Sequence, residues 1–193
     1  GQVTLKGLSL LDNKPFEFTA DKVLIAAGRK PNIEDLVWDE NLLRRQKGNY
    51  LEVDNHGETS IPGVYAIGDL TGGKLLAHKA YYDGRVAAER AAGLNSQLDY
   101  RALPSAIFTE PELASVGLSQ TEAEAQGLAI KTGEFPMQAN GRALTLDSPD
   151  GLVRIIASQA DDEILGAHLL APHASEMLPI LTMAVSRRLK IKD

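Results

Sequence analysis

The sequence predicts an α+β fold, an antiparallel sheet flanked by helices, preceded by a strand, turn and helix unit of α/β character. Three observations carry this. Apolar stretches at 105–108, 114–118, 129–135, 152–158 and 164–170 are separated by clusters of Pro, Gly, Asp and Ser, the pattern of short strands joined by turns. The last long stretch, 174–189, spaces Met177, Leu178, Ile180, Leu181, Ala184, Val185 and Leu189 as one helix face. Upstream, Val64-Tyr65-Ala66-Ile67 ends in Gly68-Asp69 and opens a long helical pattern, an arrangement that brings a carboxylate and a helix start to one end of a sheet.

Composition narrows the function classes. The 193 residues suffice for one large or two small domains, and 44% apolar with 24% charged residues is ordinary for a globular chain. A net charge of −6 argues against nucleic acid or an anionic membrane as main partner. No apolar run approaches the roughly 20 residues of a membrane helix, and the first residues lack the layout of a secretory signal, so a cytoplasmic location is expected. With no cysteine, disulfides, thiolate metal sites and thiol chemistry are excluded from these residues. Four scattered histidines give no metal-ligand spacing. The chain begins at Gly1, in the middle of a strand-like pattern, and a fragment is expected.

Taken in order, alternation over 3–10 and 16–20 around Asp12-Asn13-Lys14-Pro15 predicts a hairpin. Val23-Leu24-Ile25-Ala26-Ala27 reads as a strand buried on both faces, stopped by Gly28, where backbone can approach a ligand closely. Residues 33–46, with Leu36, Val37 and the single Trp38, give a patchy helix, and 48–57 a short strand and turn with His56 solvated at its tip. The helix after Asp69 is expected from Leu75 to Ala92, with Ala80, Gly84, Ala87, Ala88 and Ala91 as a close-packing stripe and Gly93 as its stop. Ser119 and Glu122 have capping-box spacing for a short helix ending at Gly127. Residues 147–151 and 160–163 read as hairpin turns.

The candidate site is the stretch 59–90. Asp69 can accept hydrogen bonds from sugar or ribitol hydroxyls, and the first helical turn, Leu75, Leu76, Ala77 and His78, offers unpaired N–H groups and the positive end of the helix dipole. Spacing alone leaves open an ordinary unit in which Asp69 merely ends a strand and caps a helix.

The words narrow that choice. TSIPGVYAIGD (59–69) followed by LLAHKA (75–80) resembles the second FAD motif of the pyridine nucleotide-disulfide oxidoreductases, and LAHKA resembles the dihydrolipoamide dehydrogenase branch of that family. VLIAAGRKPN (23–32) is similar to the element with which the family leaves its nicotinamide domain and returns to the FAD domain. PSAIFTEPELASVG (104–117), ANGRAL (139–144), GLVRIIA (151–157) and ILGAHLLAPHASEML (164–178) look like its interface domain. Glu110 and Tyr81-Tyr82 fit no branch pattern, which leaves the substrate open.

The resemblance implies a chain composed of the end of the nicotinamide domain (1–29), the C-terminal part of the FAD domain (30–100) and a truncated interface domain (101–193). It implies FAD and NAD as cofactors, a homodimer, and a parent enzyme that oxidises dihydrolipoamide, with a lipoyl-bearing protein of a 2-oxo acid dehydrogenase complex as partner. Asp69 would hold the ribitol of FAD, the backbone of Leu75 to His78 would face the flavin pyrimidine edge, and Gly28 would lie near NAD, with Arg29 structural. A mercuric-reductase-like or other disulfide reductase relative, or a non-catalytic dimerisation module for the fragment alone, stays open. No G-x-G-x-x-G phosphate loop and no cysteine pair occur in these residues. His173 and Glu176 lie three apart, yet fall before the family's catalytic segment, so no residue is assigned as catalytic; with His168 they are expected to pack or contact a subunit.

Overall fold

The computed structural model of the protein describes residues 1–34 and 42–193. Much of the patchy helix expected over 33–46, with Leu36, Val37 and Trp38, lies outside the described residues. The chain opens with an antiparallel hairpin, β1 (Val3–Leu8) and β2 (Pro15–Ala20), as its alternation predicts. Lys6 faces Glu17 in the register, and their charged ends meet at 3.1 Å.

The next expectation fails. Residues 23–27 form no ladder, and Leu24 and Ile25 are 90% and 84% exposed. An apolar run becomes a strand only when neighbours take up its N–H and C=O groups, and none of the described residues does so here. The strand expected at 64–67 likewise shrinks to one bridge, Tyr65 to Glu58. Around it a small core gathers Ile33, Leu43, Leu51 and Ala66. His56, expected to be solvated, is half-buried, and its Nδ1 lies 2.8 Å from the Ser96 carbonyl, tying the tip to the loop after the next helix.

That helix, α1 (Ala77–Ala91), starts two residues later than expected and ends as the glycine predicts. Leu94 N–H donates to Glu89 O and Gly93 N–H to Arg90 O, the paired bonds that close a helix on a left-handed residue, here Gly93 at φ 86°. The stripe is rotated from its predicted position: the buried residues are Lys79, Asp83, Val86 and Ala87, while Ala88 and Ala91 are exposed.

Residues 105–186 build the sheet that the strand pattern predicts. β3 (Ser105–Ile107), β4 (Glu112–Gly117), β5 (Ile130–Pro136), β6 (Leu152–Ser158) and β7 (Ile164–Ala171) are arranged in the order β3-β4-β7-β6-β5, every neighbour antiparallel. Between β4 and β5, α2 (Gln120–Ala125) begins on the expected capping box, with Ser119 Oγ accepting from Glu122 N–H and Glu122 accepting from Ser119 N–H. The link between β6 and β7 is the expected short turn.

The link between β5 and β6 is not a hairpin turn at 147–151. It holds a single turn at Met137–Ala139 and a short helix, α3 (Gly141–Thr145), because the Asn140 side chain accepts from Arg142 and Ala143 N–H and so starts a helix. Met137 and Ala143 are then buried against the long C-terminal helix, α4 (Ala174–Ser186). That helix covers β4, β7 and β3 and buries Leu178, Ala184 and Val185; Ile180 and Met183, also apolar, stay exposed.

Glu112 on β4 accepts the Ser175 N–H at 2.8 Å, which caps the first turn of α4 across the fold. The Ser175 amide, followed by its hydroxyl, holds the Glu112 carboxyl below the usual glutamate range. A depressed carboxyl contributes stability above its unfolded pKa and loses it as pH falls through the folded value. Glu112→Gln is therefore expected to lower the melting temperature at neutral pH, with the gap to the native sequence closing as the pH falls below the ordinary glutamate range; melts from neutral into acid pH check it.

Candidate functional site

Asp69 sits on a single 3-10 turn, Gly68–Thr71, pressed against the start of α1. Gly68 makes the contact possible: it holds φ 63°, and a Cβ there would lie 2.8 Å from the Ala80 Cβ. The turn is fixed from behind by side chains of α1. Asp83 Oδ2 accepts the Gly68 N–H at 2.9 Å, and Lys79 Nζ donates to Gly68 O at 3.2 Å, Thr71 Oγ1 at 2.8 Å and Asp83 Oδ2 at 2.7 Å. The Tyr100 hydroxyl donates to Asp83 Oδ1 at 2.7 Å, and Lys79 Nζ lies 5.2 Å from the Tyr100 ring centre. Burial first, then the bond to Asp83, pushes the Tyr100 hydroxyl well above the ordinary tyrosine range, so it stays a donor.

The front of the turn is open. The Asp69 side chain is 45% exposed and meets Arg29 Nη1 at 3.5 Å, a distance and exposure that leave the carboxylate free to accept other donors. Arg29 is held in turn by the Tyr50 hydroxyl, which donates to its carbonyl at 3.2 Å. The residue after Gly28 is thus brought to Asp69, and Gly28 itself, at φ 105°, has nothing within 4 Å of where a Cβ would stand.

Leu75 and Leu76 are half-buried, Ala77 and His78 exposed. Leu76, not Leu75, is the N-cap of α1, and no side chain caps the helix. Asp69 is not the cap either, so the plain strand-and-cap alternative does not describe this turn. The His78 ring does have a task of its own, with Nε2 2.8 Å from the Pro104 carbonyl.

Sequence reading missed Lys79, Asp83 and Tyr100. Their signal was present: Lys79 and Asp83 are four apart and in step with Val86, so a helix that buries Val86 also buries an ion pair. His173 and Glu176 form no dyad, since Nδ1 and Oε1 are 3.8 Å apart and both side chains are mostly exposed. Half-buried His168 packs instead, Nε2 lying 3.1 Å from Leu118 O. Among the described residues no three His, Asp or Glu converge on a metal position, and no helix is long and apolar enough to cross a membrane.

Two matches together span most of the chain. Residues 2–84 match the family described as pyridine nucleotide-disulphide oxidoreductase, and residues 103–193 match its dimerisation domain. The chain belongs to the pyridine nucleotide-disulphide oxidoreductase family. It is 43% identical over 174 residues to a dihydrolipoyl dehydrogenase of Staphylococcus aureus, a match covering 90% of this chain and 37% of that protein. A dihydrolipoyl dehydrogenase of Halobacterium salinarum is 41% identical over 182 residues, covering 94% of this chain and 38% of the relative.

Among solved structures, LpdA from Mycobacterium tuberculosis superposes with a TM-score of 0.80 at 32% identity, covering 94% of this chain and 39% of that one. The HOCl-induced flavoprotein disulfide reductase RclA from Escherichia coli does so at 0.74 and 26%, covering 91% and 41%. The chain thus spans well under half the length of these relatives. The family match agrees with the fold: part of the dinucleotide-binding region, then an antiparallel sheet carrying the dimerisation domain.

Proposed function

We propose that this chain supplies the ribitol and ring side of an FAD site, together with the dimerisation domain, of an NAD-dependent flavoprotein that oxidises dihydrolipoyl groups. The observation that carries the reading is the half-exposed Asp69 carboxylate on a turn locked from behind, in a chain 43% identical to a dihydrolipoyl dehydrogenase. The residues fit the group: Asp69 has acceptor capacity for ribitol hydroxyls, and the uncapped start of α1 leaves backbone donors for an electron-rich ring edge. Bound FAD would supply the redox step, passing two electrons from a dithiol on to NAD.

Asp69 would orient the ribitol. The backbone of Leu75, Leu76, Ala77 and His78 would face the pyrimidine edge, where the positive helix end stabilises added negative charge by about 0.3–1 kcal/mol. Gly28 would leave room for the nicotinamide nucleotide. No thiol chemistry falls to these residues, which contain no cysteine.

In this reading 1–29 closes a nicotinamide domain, 30–100 belongs to the FAD domain and 101–193 to the interface domain. A second copy would pair through the last of these, covering exposed apolar side chains such as Phe108, Ile180 and Met183. A lipoyl-bearing protein of a 2-oxo acid dehydrogenase complex would be the partner, in the cytoplasm. The likeness to RclA favours, as a second reading, a disulfide reductase of other substrate.

Asp69→Ala in the full flavoprotein is expected to weaken FAD retention about tenfold or more, as loss of charge-assisted hydrogen bonds would. Flavin content per protein after gel filtration measures it, and an unchanged ratio would overturn the assignment.

A further inference from the structure

The ion pair behind the turn is not used by the chemistry proposed above. Lys79 and Asp83 are only 3% and 2% exposed, on the buried line of α1 that continues into Val86 and Ala87. Two charges taken out of water are a poor source of stability, since well-packed apolar residues of similar volume do as well or better. What the pair does, and apolar residues could not, is hold polar groups in place.

Both sides of Gly68 end on it: the N–H on Asp83, the carbonyl on Lys79. Lys79 also fixes the Thr71 hydroxyl, which itself donates to Gly68 O at 2.9 Å. Gly68 therefore has little freedom to rotate, and the residue after it is Asp69.

The second oxygen of Asp83 goes elsewhere. It accepts the Tyr100 hydroxyl, and Tyr100 lies in the segment between α1 and β3, just before the dimerisation domain begins. That segment is tied down again one residue earlier, where the Asp99 N–H donates to the Tyr82 hydroxyl at 2.9 Å, and the Tyr82 and Tyr100 rings meet edge to face at 6.2 Å. One carboxylate thus joins the turn that presents Asp69 to the chain leaving for the dimerisation domain.

We propose that Lys79, Asp83 and Tyr100 are positioning residues for the flavin site: the ion pair sets the direction in which Gly68 presents the Asp69 carboxylate, and Tyr100 makes that direction depend on the docking of the 92–104 segment. The proposal rests on the reading of Asp69 as the ribitol ligand. Because the Tyr100 hydroxyl keeps its proton, the coupling holds through the neutral pH range.

Tyr100→Phe removes one hydroxyl from a residue that is 39% exposed and leaves the ring in place. It is expected to weaken FAD binding about five- to tenfold, the weight of one ordinary hydrogen bond because Tyr100 acts on the flavin only through Asp83 and Gly68, with the circular dichroism spectrum unchanged. Gly68 amide exchange, read by NMR and needing no flavin, is expected to quicken in parallel. Asp83→Asn is expected to show both effects more strongly and Asp83→Glu to recover part of the loss, a rescue that simple packing would not produce.

Unchanged FAD affinity and Gly68 exchange in Tyr100→Phe, while Asp69→Ala loses flavin, would overturn the positioning role and leave the ribitol reading standing. Full flavin retention by Asp69→Ala would overturn both. If Asp83→Asn fails to fold, Tyr100→Phe still decides.

Discussion

Lys79→Met is expected to cost about 3–5 kcal/mol of folding stability, the penalty for leaving a buried charge without its partner. The methionine fills most of the space of the lysine stem, so the loss is electrostatic and not a cavity. Asp83, 2% exposed, would keep the Gly68 N–H and the Tyr100 hydroxyl as donors but lose the cation. Gly68 O and Thr71 Oγ1 would lose a donor as well.

The double change Lys79→Met with Asp83→Leu separates the charge from the hydrogen bonds. It removes the unpaired carboxylate and is expected to recover part of the loss, since apolar replacement of a whole buried pair is close to neutral. Recovery should stop short by about 1–3 kcal/mol, because the Gly68 N–H is then buried without an acceptor. Chemical denaturation of the three proteins reads these differences directly; a single variant as stable as the native chain would show that water reaches the pair.

How much of this was legible in the sequence depends on where each element finds its partners. The capping box at Ser119 and Glu122 is a local device, three residues long, and it forms as read. Gly93 closes α1 for the same reason. The sheet of 105–171 was legible because its strands pair with one another inside the chain, so alternation and ladder agree. Residues 23–27 and 64–67 carry apolar runs of equal strength, yet a run does not say who its neighbour is, and among the described residues it has none or only a bridge.

At the site, the words around Asp69 identified the turn but not what holds it. Lys79 and Asp83 look in sequence like a solvent-facing helix pair at i and i+4, the ordinary place for such charges. Their step with Val86 hints at burial, and the close approach of the Gly68 turn to Ala80 covers them. The α3 helix was missed because it is only five residues long, and its start rests on the cap formed by the Asn140 side chain, just before the hairpin turn read at 147–151.

Gly166→Ala is expected to be strongly destabilising, although it adds a single methyl group. Gly166 lies in the middle of β7, paired with Gly117 of β4 on one side and Ile156 of β6 on the other. A Cβ there would stand 2.0 Å from Leu118 O and 2.8 Å from Leu118 N, both backbone atoms with little room to give. Leu118 is held in that place: its N–H donates to Leu165 O at 2.9 Å, and its carbonyl lies 3.1 Å from His168 Nε2. The methyl group must therefore break the crossing of the chain over β7 or bend the central strand, which overpacking estimates put at about 3 kcal/mol or more. The φ of Gly166 is not in the left-handed region, so the cost is one of contact and not of backbone strain. Gly133→Ala is the matched control, because that glycine lies in β5 with nothing within 4 Å of its Cβ position. Its replacement is expected to be neutral or to gain about 0.4–1 kcal/mol from the stiffer unfolded chain. Denaturation midpoints of the two variants should thus move apart; equal midpoints would mean that the 117–118 crossing is not held as closely as the hydrogen bonds of Leu118 require.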